Sequence, residues 1–192
     1  MLQIEDIIGL EVLSADGKVI GFVEGIGINT DSWTAPIIKI AVKKGNEETL
    51  GVKKPLFSTA KFYFETSYIA SVADVMTLVR KLNSVRELTV DGSLVQVWAG
   101  DIMLKRVVCD KSIEIGIVDN ILIDNSARNW AIPMIQVKVD KDTLKGMKLK
   151  KGAMKGREVK IPANMIRTVG DIVILRSSHD DLKHMIEASP GY

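Results

Sequence analysis

Few side chains in this sequence could carry out acid–base or metal chemistry, and their spacing does not favour it. The two histidines, His179 and His184, are five residues apart in a segment predicted to be helical, whereas ligands on one helix face are roughly three or four apart. The single cysteine, Cys109, has no histidine near it, which favours an inert thiol. No phosphate-binding or dinucleotide-binding fingerprint is found. We therefore expect a protein that is not an enzyme and that has no catalytic residues, cofactor or metal.

Six aspartates lie beside residues that are typical of turns. A carboxylate at such a position usually accepts hydrogen bonds from backbone N–H groups. We expect these side chains to stabilise turns, and the alternative is a pair of carboxylates that performs acid–base chemistry. The six are Asp16, Asp31, Asp74, Asp91, Asp124 and Asp171.

The composition is that of an ordinary globular protein. Of 192 residues, 46% are hydrophobic and 26% charged, and the net charge of +2 implies weak overall attraction to nucleic acid or anionic lipid. One cysteine suits a reducing compartment. The acidic start of the chain does not resemble a signal peptide, and no apolar run approaches the roughly 20 residues of a membrane helix. We expect a cytoplasmic protein without direct membrane insertion.

The second half of the chain repeats the apolar frame of the first half. The segment "VIGFVEGIGINTDSW" at 19–33 matches "EIGIVDNILIDNSARNW" at 114–130, which has two extra residues. The same order resumes in "YIASVADVMTL" at 68–78 and "MIRTVGDIVIL" at 165–175. A repeat of this length is too long for a solenoid and indicates an internal duplication. It predicts that Trp33 and Trp130, which end the first pair of segments, are equivalent.

Each half has the pattern of a small β-barrel. Apolar residues alternate along about five short segments, which predicts strands. Asp16-Gly17 predicts a tight hairpin with positive φ, and Glu24-Gly25 predicts a bulge. Ser178 and Asp181 mark the start of a C-terminal helix.

These features resemble the PRC-barrel domain, named from the photosynthetic reaction centre H subunit. The resemblance implies a mostly β protein with two tandem PRC-type barrels, at 1–90 and 95–176, and a helix at 177–188. We expect 86–100 to be a structured bridge between the two barrels.

The second copy departs from the first at two turns. It has Leu104 in place of Gly9 and Lys111-Ser112 in place of Asp16-Gly17. The motif residues are Gly9, Asp16, Gly17, Ile20, Gly21 and Trp33 in the first copy and Gly116, Trp130, Ile161, Pro162, Val169, Gly170 and Asp171 in the second.

Two surface features are candidates for partner binding. Five of the ten aromatic residues lie within 56–68, where Phe62 and Phe64 are expected to fill a barrel and Tyr63 to face a partner. The lysine-rich stretch 141–160 is read as a solvated loop, or as a contact for phosphate or an acidic partner. The hypothetical partner-binding residues are Leu56, Phe57, Tyr63, Tyr68, Lys148, Lys150, Lys151 and Lys155.

The resemblance also implies a function. PRC-barrel proteins of archaeal cell division associate with one another and link the FtsZ ring, through its membrane anchor SepF, to other division proteins. A non-enzymatic adaptor of this type, recruited to the division site and forming a homodimer or heterodimer, is the first hypothesis. A ribosome- or RNA-associated module that acts through 141–160 is the alternative.

Overall fold

The computed structural model describes residues 1–109, 112–126, 128–146 and 157–188. Alternation of apolar and polar residues produces fourteen strands within this range, and the helices are short. The elements up to residue 98 are β1 (Leu2–Gln3), α1 (Ile4–Ile7), β2 (Glu11–Leu13), β3 (Val19–Asn29), β4 (Thr34–Val42), α2 (Glu47–Leu50), β5 (Lys61–Glu65), β6 (Ile69–Val72), β7 (Val75–Leu78), α3 (Leu82–Val85) and β8 (Val97–Trp98). They are followed by α4 (Ala99–Ile102), β9 (Arg106–Val108), β10 (Glu114–Asp124), β11 (Trp130–Val139), α5 (Lys141–Gly146), β12 (Arg157–Pro162), β13 (Ile166–Val169), β14 (Val173–Leu175) and α6 (His179–Ala188).

The chain divides into two compact units. The first contains 1–100 and 124–131, and the second contains the described residues of 101–123 and 132–192. Residues 86–100, predicted to be structured, include two short 3-10 turns and β8, which pairs with β3 of the first unit.

The first unit is a small barrel. Its main strand order is β6-β7-β2-β3-β4-β5, in which β2 and β7 are parallel and the other pairs are antiparallel. The edge strands β5 and β6 are joined by the single 3-10 turn Thr66–Tyr68. Such a link spans at most about 14 Å, whereas the edges of a flat six-stranded sheet are about 24 Å apart. The sheet must therefore curl until its two edges approach each other.

The second unit repeats this topology. Its order is β13-β14-β9-β10-β11-β12, with β9 and β14 parallel, and the 3-10 turn Ala163–Met165 joins the edge strands. The predicted fold class is confirmed: the protein is mostly β, with two small tandem barrels and a short C-terminal helix.

Equivalent apolar side chains fill both barrels. Phe62 and Phe64 on β5 are buried while Tyr63 between them is half-buried, so the predicted alternation is confirmed. The core of the first barrel includes Ile20, Ile26, Ile38, Ile40, Phe62, Phe64, Met76 and Leu78. The matching side chains of the second are Ile115, Ile121, Ile135, Val137, Val159, Ile161, Val173 and Leu175.

The turns of the first barrel recur in the second even where glycine is replaced. Gly9 and Gly17 have φ values of +89° and +74°. Leu104 and Ser112, the residues at the matching positions, have φ values of +64° and +59°. A left-handed conformation is unfavourable for residues with a Cβ, so the fold imposes the turn on them.

The prediction that Trp33 and Trp130 are equivalent is wrong, because the two side chains differ in burial and in local backbone structure. Trp33 lies in the turn before β4, has a φ of +50° and is half-buried. Trp130 is the first residue of β11 and is buried. The connection that precedes Trp130 is longer than the one that precedes Trp33. As a result β11 begins at its tryptophan, whereas β4 begins one residue after its own.

Candidate interaction surfaces

The structure describes the side chains of two of the residues that were considered for possible chemistry. His184 is exposed on α6, and Cys109 is a buried free thiol. Among the residues that the structure describes, no three His, Cys, Asp or Glu side chains are grouped so that they could hold a metal ion. These positions therefore give no geometric basis for assigning a reaction.

Three of the six aspartates that were predicted to stabilise turns accept hydrogen bonds from backbone N–H groups, namely Asp16, Asp91 and Asp124. Asp16 Oδ1 accepts hydrogen bonds from the Ser14 hydroxyl (2.7 Å) and the Leu82 N–H (2.9 Å). These two bonds, the Ser14 bond foremost, lower the pKa of Asp16 from 3.8 to about 2. Asp91 and Asp124 each accept a hydrogen bond from the N–H two residues further along.

Three polar residues meet on the outer face of the first barrel, and we call them the first polar cluster. Glu24 lies at the bulge in β3, where the register shifts between Val23 and Gly25. Lys39 Nζ on β4 is 3.3 Å from Glu24 Oε1, and Lys61 Nζ on β5 donates to Glu24 Oε2. Partial burial raises the pKa of Glu24, but hydrogen bonds from the two lysines outweigh it and the pKa is lowered.

An aromatic pair extends this cluster. The Lys39 ammonium also lies over the Trp98 ring, 4.7 Å from its centroid. The Tyr63 and Trp98 ring centroids are 6.1 Å apart. Tyr63 also covers Gly92, since a Cβ there would lie 2.8 Å from the Tyr63 ring. Tyr63, a predicted partner-binding residue, is thus partly used in contacts within its own unit.

The second barrel carries a different group at the matching positions, which we call the second polar cluster. Gln136 Nε2 on β11 donates to Asp119 Oδ2 on β10 (3.0 Å) and to Glu158 Oε2 on β12 (3.1 Å). The formal charge is +1 in the first cluster and −2 in the second, because an amide and a carboxylate replace the two lysines. Sequence reasoning missed both clusters, although the repeat aligns all three positions.

The remaining predicted partner-binding residues differ in exposure. Leu56 and Phe57, in the connection between β4 and β5, are 92% and 99% exposed. Tyr68 is half-buried at the end of the 3-10 turn that follows β5. Four of the predicted residues lie outside the described part of the chain, namely Lys148, Lys150, Lys151 and Lys155.

Comparisons with known proteins find a likeness among solved structures. Neither a family model nor a curated protein sequence matches the chain. A crystal structure described as a 16S ribosomal RNA processing protein, RimM, from Pseudomonas aeruginosa is similar with 12% identity and a TM-score of 0.30. The match covers 82% of this chain and 98% of that chain. An identity and a TM-score this low do not show a shared family or function.

Proposed function

We propose that the chain is a non-enzymatic protein-interaction adaptor whose two PRC-type barrels bind different partners. The observation that carries this proposal is the contrast between the two polar clusters. The barrels share strand order, turn conformations and core, yet the same three outer positions have a charge of +1 in one unit and −2 in the other. Charge on an outer face selects partners and steers their approach, so the two faces suit different proteins.

The resemblance to archaeal division proteins supplies the cellular setting of this proposal. In that setting the chain is a cytoplasmic protein at the division site that connects SepF, the anchor of the FtsZ ring, with other division proteins. A homodimer, or a heterodimer with a related barrel protein, is part of the same prediction. Light scattering of the purified chain over a concentration series tests it, and a monomer at every concentration would contradict it.

The adaptor proposal is tested by removing the two lysines of the first cluster and, separately, the two carboxylates of the second. We expect Lys39→Gln/Lys61→Gln to weaken capture of one partner from source cells and leave the other unchanged. The second variant, Asp119→Asn/Glu158→Gln, replaces each carboxylate by the amide of the same length. We expect it to weaken capture of the other partner and to leave the first unchanged. Melting temperatures of both variants serve as the control for folding. If both variants capture the same proteins as the parent, the two outer faces are not binding surfaces.

The ribosome- or RNA-associated module remains the second candidate. The observation that favours it is that Lys138, near the end of β11, and Lys141, at the start of α5, are both exposed. Binding to RNA releases counterions and should weaken steeply with added salt. A steep salt dependence of RNA binding that is reduced by Lys138→Ala/Lys141→Ala would support this candidate over the first.

A further inference from the structure

We propose that one end of the first barrel, which we call the basic end, binds the surface of an anionic lipid bilayer and buries Leu56 and Phe57 in it. The basic end consists of three connections, 14–18, 43–60 and 79–86. Two contacts join them: Ala15 N–H donates to Arg80 O (2.7 Å), and Gly51 packs so closely on the Arg86 side chain that a Cβ at residue 51 would overlap it. The three connections therefore form one continuous surface of the first unit.

The basic end concentrates positive charge. Its three connections contain eight Lys and Arg and three Asp and Glu residues, a net charge of +5, whereas the whole chain has +2. All eight cationic residues are exposed, among them Lys53 and Lys54, which only Pro55 separates from the apolar pair. Each cation near an anionic membrane contributes about 1 kcal/mol of attraction. The surface is thus suited to an anionic partner.

The apolar pair decides which anionic partner fits. Leu56 and Phe57 are 92% and 99% exposed, so they contact almost nothing in their own unit. Neighbouring lysines beside exposed Leu and Phe are the combination by which peripheral proteins enter the headgroup region of a bilayer. RNA would use aromatic rings for stacking, and Leu56 could not contribute to that. The bilayer accepts both side chains without a complementary pocket.

This interaction needs no spanning segment. Within the described ranges, every helix is too short or too polar to cross a bilayer. The expectation of no membrane insertion rests on the length of apolar runs. That criterion detects spanning helices and does not detect two exposed apolar side chains in a loop. The proposal does not depend on the protein-adaptor proposal, because the polar clusters lie on the outer faces of the sheets.

The test is flotation of the full chain with vesicles of phosphatidylcholine alone or mixed with phosphatidylglycerol. We expect binding to the mixed vesicles only. Leu56→Glu/Phe57→Glu should weaken it at least about tenfold, since two apolar side chains are no longer buried. The matched control is Leu94→Glu, because Leu94 is 71% exposed and lies in the 3-10 turn 92–94, outside the basic end. Lys53→Ala/Lys54→Ala should weaken binding about tenfold or more, and Lys138→Ala/Lys141→Ala should not.

A reporter at position 57 tests insertion itself. Compared with the parent protein, Phe57→Trp should add fluorescence that shifts to the blue on the mixed vesicles and is quenched by brominated lipid. Absence of vesicle binding, or binding that Leu56→Glu/Phe57→Glu leaves unchanged, would overturn the proposal. So would RNA binding that depends on Lys53 and Lys54 in a protein that does not bind vesicles.

Discussion

The Lys39 ammonium lies 4.7 Å from the centre of the Trp98 ring, so a charged residue in the middle of β4 contacts a strand nearly 60 residues further along. A cation–aromatic contact of this kind contributes about 0.5–1 kcal/mol at an exposed site. Trp98 is held in place by the pairing of β8 with β3, and the Tyr63 ring packs beside the Trp98 ring. The first polar cluster therefore also fixes the segment 86–100 to its own barrel.

We predict that Tyr63→Ala lowers the free energy of unfolding by about 1–2 kcal/mol, because the ring that covers Trp98 and Gly92 is lost. The sequence alone assigns Tyr63 to a face that meets a partner and does not reveal these contacts within its own unit. Urea unfolding followed by the fluorescence of the tryptophans measures the change. Tyr63→Phe keeps the ring and should remain within about 0.5 kcal/mol of the parent. Equal stability of Tyr63→Ala and the parent would show that the ring contacts do not matter.

We predict that Leu104→Gly stabilises the second barrel, an unusual outcome for removing a large apolar side chain. Leu104 has a φ of +64° and is 71% exposed, so glycine relieves backbone strain and little packing is lost. The expected gain is about 1 kcal/mol in the free energy of unfolding. Leu94→Gly is the matched control, because Leu94 is equally exposed and its φ is not positive. That variant should be destabilised, and a stabilised Leu94→Gly would remove the conformational explanation.

Most of the architecture could be predicted from the repeat, because a barrel constrains the apolar positions of every strand. The buried pair Phe62 and Phe64 illustrates this, since strand alternation alone assigns them to the interior. The surroundings of Trp33 and Trp130 could not be predicted in the same way, because a longer hairpin connection changes where a strand begins.

The polar clusters were beyond sequence reasoning for a different reason. Glu24, Lys39 and Lys61 lie on three separate strands, and their meeting depends on register and on the bulge at Glu24. A periodicity argument assigns each of them only to an outer face. Their contacts follow from the pairing of β3, β4 and β5, which no single strand's pattern contains.

We predict that Gly21→Ala and Gly116→Ala each destabilise the protein by about 1–3 kcal/mol, the usual cost of overpacking. A Cβ at Gly21 would overlap the carbonyl oxygen of Ala41, and a Cβ at Gly116 would overlap that of Lys138. Backbone atoms of a paired strand cannot move aside as a flexible side chain can. Gly100→Ala is the control, since a Cβ there meets nothing within 4 Å. Thermal unfolding compares the three variants, and equal melting temperatures would contradict the prediction.

The last prediction concerns pH and the hairpin after β2. The pKa of Asp16 is lowered from 3.8 to about 2 by the hydrogen bonds from Ser14 and Leu82, so the folded state favours the ionised carboxylate. Its contribution to stability is fully present above about pH 4, the ordinary pKa of an aspartate, and is lost as the pH falls toward 2. Asp16→Asn should therefore be less stable than the parent at pH 7, and its stability should fall less between pH 4 and pH 2. Carboxyl titration by NMR gives the direct measurement, and Ser14→Ala should move the midpoint of Asp16 up toward 3.8. A midpoint near 3.8 in the parent would mean that the two hydrogen bonds do not hold the ionised form.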